Sequence, residues 1–554
     1  MDESTATLSW RDGRPTRAQR ATVMALHRGN DTSARTVRAA AGRNPAGGKW
    51  ERNKEKKQQG SHVAALNHKV CQGFKFFRRN GRGRSHKKGH HVFVLGGLKF
   101  GRLNTNMDFA KFAADLSSFV WGVPLIALLF GTHLFLTLRT GFIQRFLPRA
   151  IKLSFSREKE GEGDVSQFAA LMTALAATIG TGNIVGVAGA VATGGPGAVL
   201  WMWLTGVFGI ATKYSEAVLA VKYRITMPDG SMAGGPMYAL ERGLGQKWLG
   251  VLFAVFTCIA AFGIGNMTQA NSIVELLREH IKPESDAVLR WVAGSVMAVL
   301  TAAVVLGGVK SIAKVCEFLV PIMAVGYIIG CALVLIKNAA ALPQAFTDIW
   351  NGAWSGQAAV GGFVGATLKQ VAQAGIARGL FSNESGLGSA PIVAAAAQTR
   401  NPVRQALVSS TATFWDTVVV CLMTGLVVVS SGHWKTGLAK AALTSAAFND
   451  LHTVGPIFLL FGLMTFVFST ILGWGYYGEK AAEYLFGTRS VKPYRFLWVL
   501  AVLFGSVQPA QAVWDFADAA NGLMALPNLI CLICLSGVIA AETRAYAGEL
   551  RGKD

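Results

Sequence analysis

Apolar positions along this chain gather into long unbroken blocks, and those blocks begin only after about residue 107. A helix needs about 20 predominantly apolar residues to cross a bilayer. On that rule the pattern predicts eleven transmembrane helices, at about 117–138, 167–194, 198–222, 249–277, 290–308, 315–336, 372–398, 405–430, 454–486, 496–509 and 512–540. The fold class is therefore an all-α polytopic membrane protein. No cleavable signal is evident, since the first block runs straight into a basic stop from Arg139 to Arg149.

Composition agrees with the pattern. Only 15% of the 554 residues are charged, where soluble domains average roughly a quarter. The net charge of +23 would suggest nucleic acid were it evenly spread. It is not: residues 1–106 hold 23 Lys/Arg against 6 Asp/Glu, leaving the remainder nearly neutral. Six of those basic residues fall between Arg78 and Lys88, so the leader reads either as an RNA-binding arm or as disordered sequence.

Charge in the loops decides between them. One family of loops, including 139–165, 222–248 and the tail from 541, carries 20 Lys/Arg, and the alternate family carries 8. The positive-inside rule makes the first family cytoplasmic. The C-terminus and the tail 546–554 are then inside, and a strongly basic leader falls on the wrong side. Residues 1–106 are accordingly expected to be an over-long gene start or a dispensable tail. Met107 opens the transmembrane body, and no nucleic-acid partner is expected. The expected location is the plasma membrane, a bacterial inner membrane, with the lipid bilayer as the surrounding partner. Cys531 and Cys534 form a CxxC spacing inside an apolar run, where they read as small packing residues and not as a metal or disulfide site.

With the first helix set aside, ten remain, and they divide into two fives, about 167–336 and 372–540. Gly182 in Gly180-Thr181-Gly182-Asn183 and Gly386 in Ser382-Asn383-Glu384-Ser385-Gly386 are 204 positions apart. Gly263-Ile264-Gly265 and Gly473-Trp474-Gly475 are 210 apart, and Pro321 and Pro527 are 206 apart. Five is odd, so the second copy enters the membrane from the opposite side, an inverted repeat of the kind secondary transporters use.

Clustered glycine weakens a helix by about 1 kcal/mol per residue. Both Gly-rich strings therefore predict helices that unwind midway. Unwound backbone in hydrocarbon is tolerated only where it faces a cavity or a ligand. Amides freed at Thr181–Asn183 suit a carboxylate, and freed carbonyls suit a sodium ion. Gly186, Gly189, Gly194 and Gly195 read instead as close-packing positions. The spacing GxGxxxG with no preceding strand is not a dinucleotide fingerprint. In the second string, Arg378, Asn383 and Glu384 lie at mid-membrane depth, where charge is costly. Glu384 reads equally as a neutralising partner of Arg378 or as part of a site. Ser469 and Thr470 would complete a five-oxygen sodium shell opposite the first break, or would back-bond to their own helix. Gln269 is a candidate polar contact for the ligand. Lys213, Glu216, Glu275, Glu317, Asp416, Glu479, Lys480, Glu483, Asp515 and Asp518 are placed mostly near span ends, as gates or topology markers.

The strings TIGTGNIVGVAGAVATGGPGA, GGPMYALERGLG, GGVKSIAK, RGLFSNESGLGSAP and ILGWGYYGEK closely resemble the alanine or glycine:cation symporter family, in order from about Met107 to about residue 545. The resemblance implies a leucine-transporter-type five-plus-five inverted repeat preceded by one extra helix. It implies uptake of alanine, glycine or a similar small neutral amino acid by alternating access, coupled to sodium or, in some members, to protons. The implied substrate pocket is Thr181, Gly182, Gln269, Phe381, Ser385, Gly386, Thr470, Gly473 and Trp474, with Phe381 and Trp474 limiting side-chain size. Bulkier residues occur at the position of Gly473 in such a family, so its glycine would admit a substrate larger than alanine. Sodium is implied at the carbonyls around Thr178 and Thr181 with Ser469 and Thr470, and secondarily at Asn183 and Asn383. A monomer is expected. A passive channel, the alternative from another class, lacks its charge ring here. A membrane enzyme is not expected, because His133, His280, His433 and His452 offer no paired spacing for metal or nucleophile chemistry.

Overall fold

A computed structural model describes residues 109–546 and 548, apart from 157–160, 282–283, 356–364, 439 and 508–509. The expectations for residues 1–106 and Met107, and most of the 546–554 tail, lie outside the described residues. Among the described residues, helix dominates. β-structure is confined to a two-residue ribbon, Ile225–Thr226 against Met232–Ala233, and a parallel bridge between Val165 and Ala397.

Among the described residues, five helices are long and apolar enough to span a membrane: Lys247–Arg278, Asp286–Val305, Gly308–Lys337, Pro402–Ser430 and Val454–Phe486. The number rises to as many as eight if each of three bent pairs is one span, among them Gln167–Thr178 with Gly182–Gly194, bent by 51°. The remaining expected spans correspond to helices outside this set. Ala198–Lys222 carries Lys213, Glu216 and Lys222, Leu368–Asn383 stops after 16 residues, and Val491–Val507 has 17. Length and apolarity alone thus do not yield eleven. Two of these departures fall where a helix is interrupted or carries internal charge, and the third helix ends against residues 508–509, outside the described residues. Three short helices within expected loops were not predicted: Leu147–Ser154, Leu342–Ser355 and Lys440–Asn449.

Inside hydrocarbon, apolar burial scarcely favours one helix neighbour over another, so close approach through small residues sets the packing. Ala198–Lys222 is the hub. A Cβ at Gly379 would stand 2.1 Å from Thr205 Oγ1, one at Gly375 2.3 Å from the Ala198 carbonyl, and one at Gly206 2.8 Å from Thr417. The first broken helix begins with Ser166 accepting a bond from the Ala169 amide, and the second begins with a Thr367/Gln370 capping box. Apolar side chains on the outer helices stay exposed, as on Asp286–Val305, where Val288, Trp291, Val292, Val296 and Val299 all point outward. That is the surface lipid would cover. Cys258, Cys316, Cys331, Cys421 and Cys531 are free thiols.

The packing predicts a contrast between two glycines. A Cβ at Gly197 would lie 2.2 Å from the Gly352 backbone, whereas at Gly131 nothing lies within 4 Å. Gly197→Val is expected to destabilise by about 1–3 kcal/mol through overpacking. Gly131→Ala should be neutral or stabilising, by up to about 1 kcal/mol, because alanine is the better helix former. Thermal melting of the two purified variants in detergent checks the order.

Candidate functional site

The first break opens where the helix Gln167–Thr178 ends. Ile179 turns extended, with ψ 97°, and the chain re-enters a helix through a π turn at Gly182–Gly186. The freed groups find local partners. Gly180 N–H donates to Asn183 Oδ1 at 2.8 Å, and Asn183 N–H to the Gly180 carbonyl at 3.2 Å. Two carbonyls at the end of the first half-helix are met from across the bundle. Ser469 Oγ donates to Ala176 O at 3.2 Å, and Thr470 Oγ1 to Ile179 O at 3.3 Å. Each hydroxyl also back-bonds to Phe466 O, at 2.9 Å. Both readings of these hydroxyls therefore hold together: they bond within their own helix and face the break. The carbonyls they reach belong to Ala176 and Ile179, offset from the expected Thr178 and Thr181. Thr178 gives its hydroxyl to Ala174 O at 3.1 Å.

The second break follows Asn383. Glu384 sits in the left-handed region at φ 55°, and Gly386 and Gly388 follow at 91° and 87°, conformations that glycine adopts without cost. Only a short helix, Pro391–Ala394, resumes beyond. Glu216 caps the unwound stretch: its Oε1 accepts from Gly386 N–H at 3.0 Å, Gly388 N–H at 3.1 Å and Asn528 Nδ2 at 2.7 Å. Asn528 also donates to Gly386 O at 2.9 Å.

Between the breaks lies a small cavity lined by Ala177, Thr178, Gly180, Thr181, Gly182, Ile264, Gln269, Phe381, Ser382, Glu384, Thr470 and Trp474. Its water-sized room is only about 10 Å³, enough for about one water, so in this conformation the lining closes tightly on itself. Two polar atoms facing it, Thr181 Oγ1 and Gln269 Oε1, are buried without a hydrogen-bond partner among the described residues. Such groups normally find one.

The structure thus brings Thr181, Gly182, Gln269, Phe381, Thr470 and Trp474 together around one space. It leaves three expected pocket residues outside that lining. Ser385 Oγ pairs with Thr413 at 3.1 Å, and the absent side chain of Gly386 faces Leu129 at 2.7 Å. Gly473 packs on the Ala177 backbone, where a Cβ would stand 2.8 Å from its nitrogen, so its smallness admits a neighbouring helix and does not enlarge the cavity. Asn383 is turned to Thr205 and the Ser385 amide, away from Ser469 and Thr470.

Other charges are also placed differently from expectation. Arg378 pairs with Asp518 at 3.6 Å and lies 5.7 Å over the Phe381 ring. Glu384 instead accepts from Ser389 Oγ at 2.5 Å and lines the cavity. Lys213, Glu216 and Asp416 are not at span ends but buried beside the breaks. Asp416 ties the breaks to each other: Oδ1 accepts from Asn183 Nδ2 at 2.7 Å, and Oδ2 from Ser382 Oγ at 3.0 Å. The available signal was their position midway along apolar helices, where a charge is expensive. In Asp416's case the helix is also π-wound, from Phe414 to Cys421, a distortion frequent at functional sites.

Two interrupted helices around one small shared space, in an otherwise apolar bundle, define a helical membrane transporter. The model of the Sodium:alanine symporter family matches residues 106–554. The chain is 50% identical over 456 residues to the sodium/alanine symporter AgcS of Methanococcus maripaludis, spanning 80% of this chain and 98% of that one. It is 36% identical over 439 residues to the amino-acid carrier protein AlsT of Bacillus subtilis, spanning 78% and 91%. Among solved structures it is similar to MhsT in complex with L-phenylalanine, at a TM-score of 0.53 and 15% identity, over 71% of this chain and 96% of that one, a likeness of fold. The chain belongs to the sodium:alanine symporter family. It is a multi-pass membrane protein that carries an amino acid with sodium as the co-transported ion.

Gly182 tests the cavity. A Cβ there would meet Phe381 and Ser382 at 3.4 Å, so Gly182→Leu is expected to abolish amino-acid binding while leaving the melting temperature within about 4 °C of the parent. Equilibrium binding of radiolabelled alanine, alongside the melt, distinguishes a blocked cavity from a lost fold.

Proposed function

We propose that the protein imports a small neutral amino acid, alanine or glycine, together with sodium by alternating access. The observation that carries this is the meeting of an unbroken helix with a broken one. The hydroxyls of Ser469 and Thr470, on Val454–Phe486, converge on the carbonyls of Ala176 and Ile179 at the first break. With the Phe466 carbonyl, these offer five oxygens to a sodium ion. Sodium binding would turn both hydroxyls from carbonyl donors into ion ligands. The substrate carboxylate meets the amides that open the second half-helix at Thr181 and Gly182, where the helix dipole favours negative charge. Its ammonium faces Glu384 and Gln269 Oε1, and Phe381 and Trp474 close over a short side chain. Asn183 acts beside this site by holding Asp416.

Because sodium and substrate order the same break, each raises the other's affinity, and the coupling is reciprocal. In this reading the transmembrane domain occupies 107–545 and contains eleven spans: one extra helix, then inverted repeats at about 167–336 and 372–540. The paired breaks and the MhsT-like fold support that arrangement. A single copy is the working unit, set in a bacterial inner membrane with the C-terminus in the cytoplasm.

Alanine binding to purified protein is expected to fall at least about tenfold when choline replaces sodium. Thr470→Val should raise the sodium concentration for half-maximal binding by about tenfold, since one of five ligands is lost. Equal alanine binding in sodium and in choline, with no dependence on pH, would overturn the proposal.

A further inference from the structure

One fully buried cation has no part in the transport scheme above. Lys213 lies in the helix Ala198–Lys222 at 2% exposure, and among the described residues its ammonium has no hydrogen-bond partner. It falls on the stripe of that helix that faces the second break. One turn before it, a Cβ at Gly209 would lie 3.0 Å from Ser385 Oγ. One turn after it, Glu216 holds the amides of Gly386 and Gly388.

Among the described residues Lys213 makes neither a hydrogen bond nor an ion pair within 4 Å. The acidic groups around it are Glu216, one turn along the same helix, then Glu384 and Asp416, and His133 of the first helix also lies within reach of its charge. Each carboxylate has a separate task. Glu216 caps the second break, Asp416 joins Asn183 of the first break to Ser382 of the second, and Glu384 lines the cavity. All three are buried. Three carboxylates gathered in an apolar interior repel one another and demand a nearby cation. A lysine that merely filled space would give its charge to water by extending its stem. Lys213 is enclosed on all sides and does not.

We infer that Lys213 is the resident counter-cation of the transport site, a positioning residue whose charge is shared among Glu216, Glu384 and Asp416 and holds both breaks in their unwound shape. Its ammonium touches neither cavity nor ligand. It acts through the carboxylates that do the holding. The inference builds on the symport reading for its transport readout alone.

Charge rescue tests it on the full chain. The variants are Lys213→Met, which keeps the stem and removes the charge, and the pairs Lys213→Met/Glu216→Gln and Lys213→Met/Asp416→Asn, which remove one opposing charge as well. Lys213→Met is expected to melt below the parent and to lower kcat/KM for alanine by about 30-fold or more. At least one double variant should melt above Lys213→Met and recover about tenfold of the lost kcat/KM. If Lys213→Met yields no cooperatively melting protein, recovery of a cooperative melt in a double variant counts as the same order.

The melting order decides. Lys213→Met below the parent and below at least one double supports the inference, and any other order overturns it, because a purely steric lysine gains nothing from a second neutralisation. Should uptake by the parent prove independent of sodium, the symport reading would fall while the melting order still judged Lys213.

Discussion

Every feature of the site descends from one constraint: an unwound peptide in an apolar bundle must find partners for its amides and carbonyls. An unpaired group in hydrocarbon costs several kcal/mol, and two helices here are unwound at once. Their satisfaction is distributed. Asn183 and Gly180 bond each other across the first break, and Ser469 and Thr470 reach its carbonyls from a third helix. Glu216 and Asn528 serve the second break from two further helices. Removing any one of these partners strands a backbone group. That is why the polar residues of a largely apolar chain concentrate here, with Asp416 linking the two sets.

Close approach is the other half of the same arrangement. Side-chain hydrogen bonds of about 3 Å to backbone atoms of another helix require helix axes nearer than bulky residues permit. Glycine supplies the room. At Gly265 a Cβ would lie 2.1 Å from Trp474, and at Gly473 it would press on Ala177. The two glycine-bearing strings therefore seat Trp474 against the cavity from one side and bring Ser469 and Thr470 to the first break from the other. Gly206 and Gly209 do the same for the contact between Ala198–Lys222 and the elements around the second break. The glycines fix where the backbones meet, and the polar residues exploit the meeting.

This separates what was legible in the sequence from what was not. The breaks could be read because clustered glycine in an apolar block is a local signal, and Thr181, Gly182 and Phe381 lie within or beside them, whereas Trp474 and the pocket role of Thr470 came from the resemblance to the symporter family. The partners of the breaks could not, because they come from elements up to several hundred residues away. Glu216 is 170 residues from the amide it caps. Arg378 has Glu384 six positions away in sequence, yet pairs with Asp518, because the left-handed turn at Glu384 sends that carboxylate toward Ser389. Gly473 shows the reverse error. Its neighbour Trp474 lines the cavity, but on a continuous helix successive residues point about 100° apart, so Gly473 faces Ala177 instead. Charges in the middle of apolar helices were visible, but their depth was misjudged for Lys213, Glu216 and Asp416.

The unequal character of the helices explains how ion and substrate are made to travel together. Val454–Phe486 runs unbroken for 33 residues and presents Ser469 and Thr470 at a fixed height. The first broken helix can change shape at Ile179–Gly182 without disturbing either half, because its hydrogen bonds are already interrupted there. A cation bound between the two ties the deformable element to the rigid one. In the proposed scheme the amides that would receive the substrate carboxylate lie on the same deformable stretch, within three residues of the Ile179 carbonyl. Fixing one position therefore fixes the other, and neither ligand can be well held while the break is free to move. In that scheme the coupling needs no long pathway through the protein, because the few peptide groups that the break exposes would carry it.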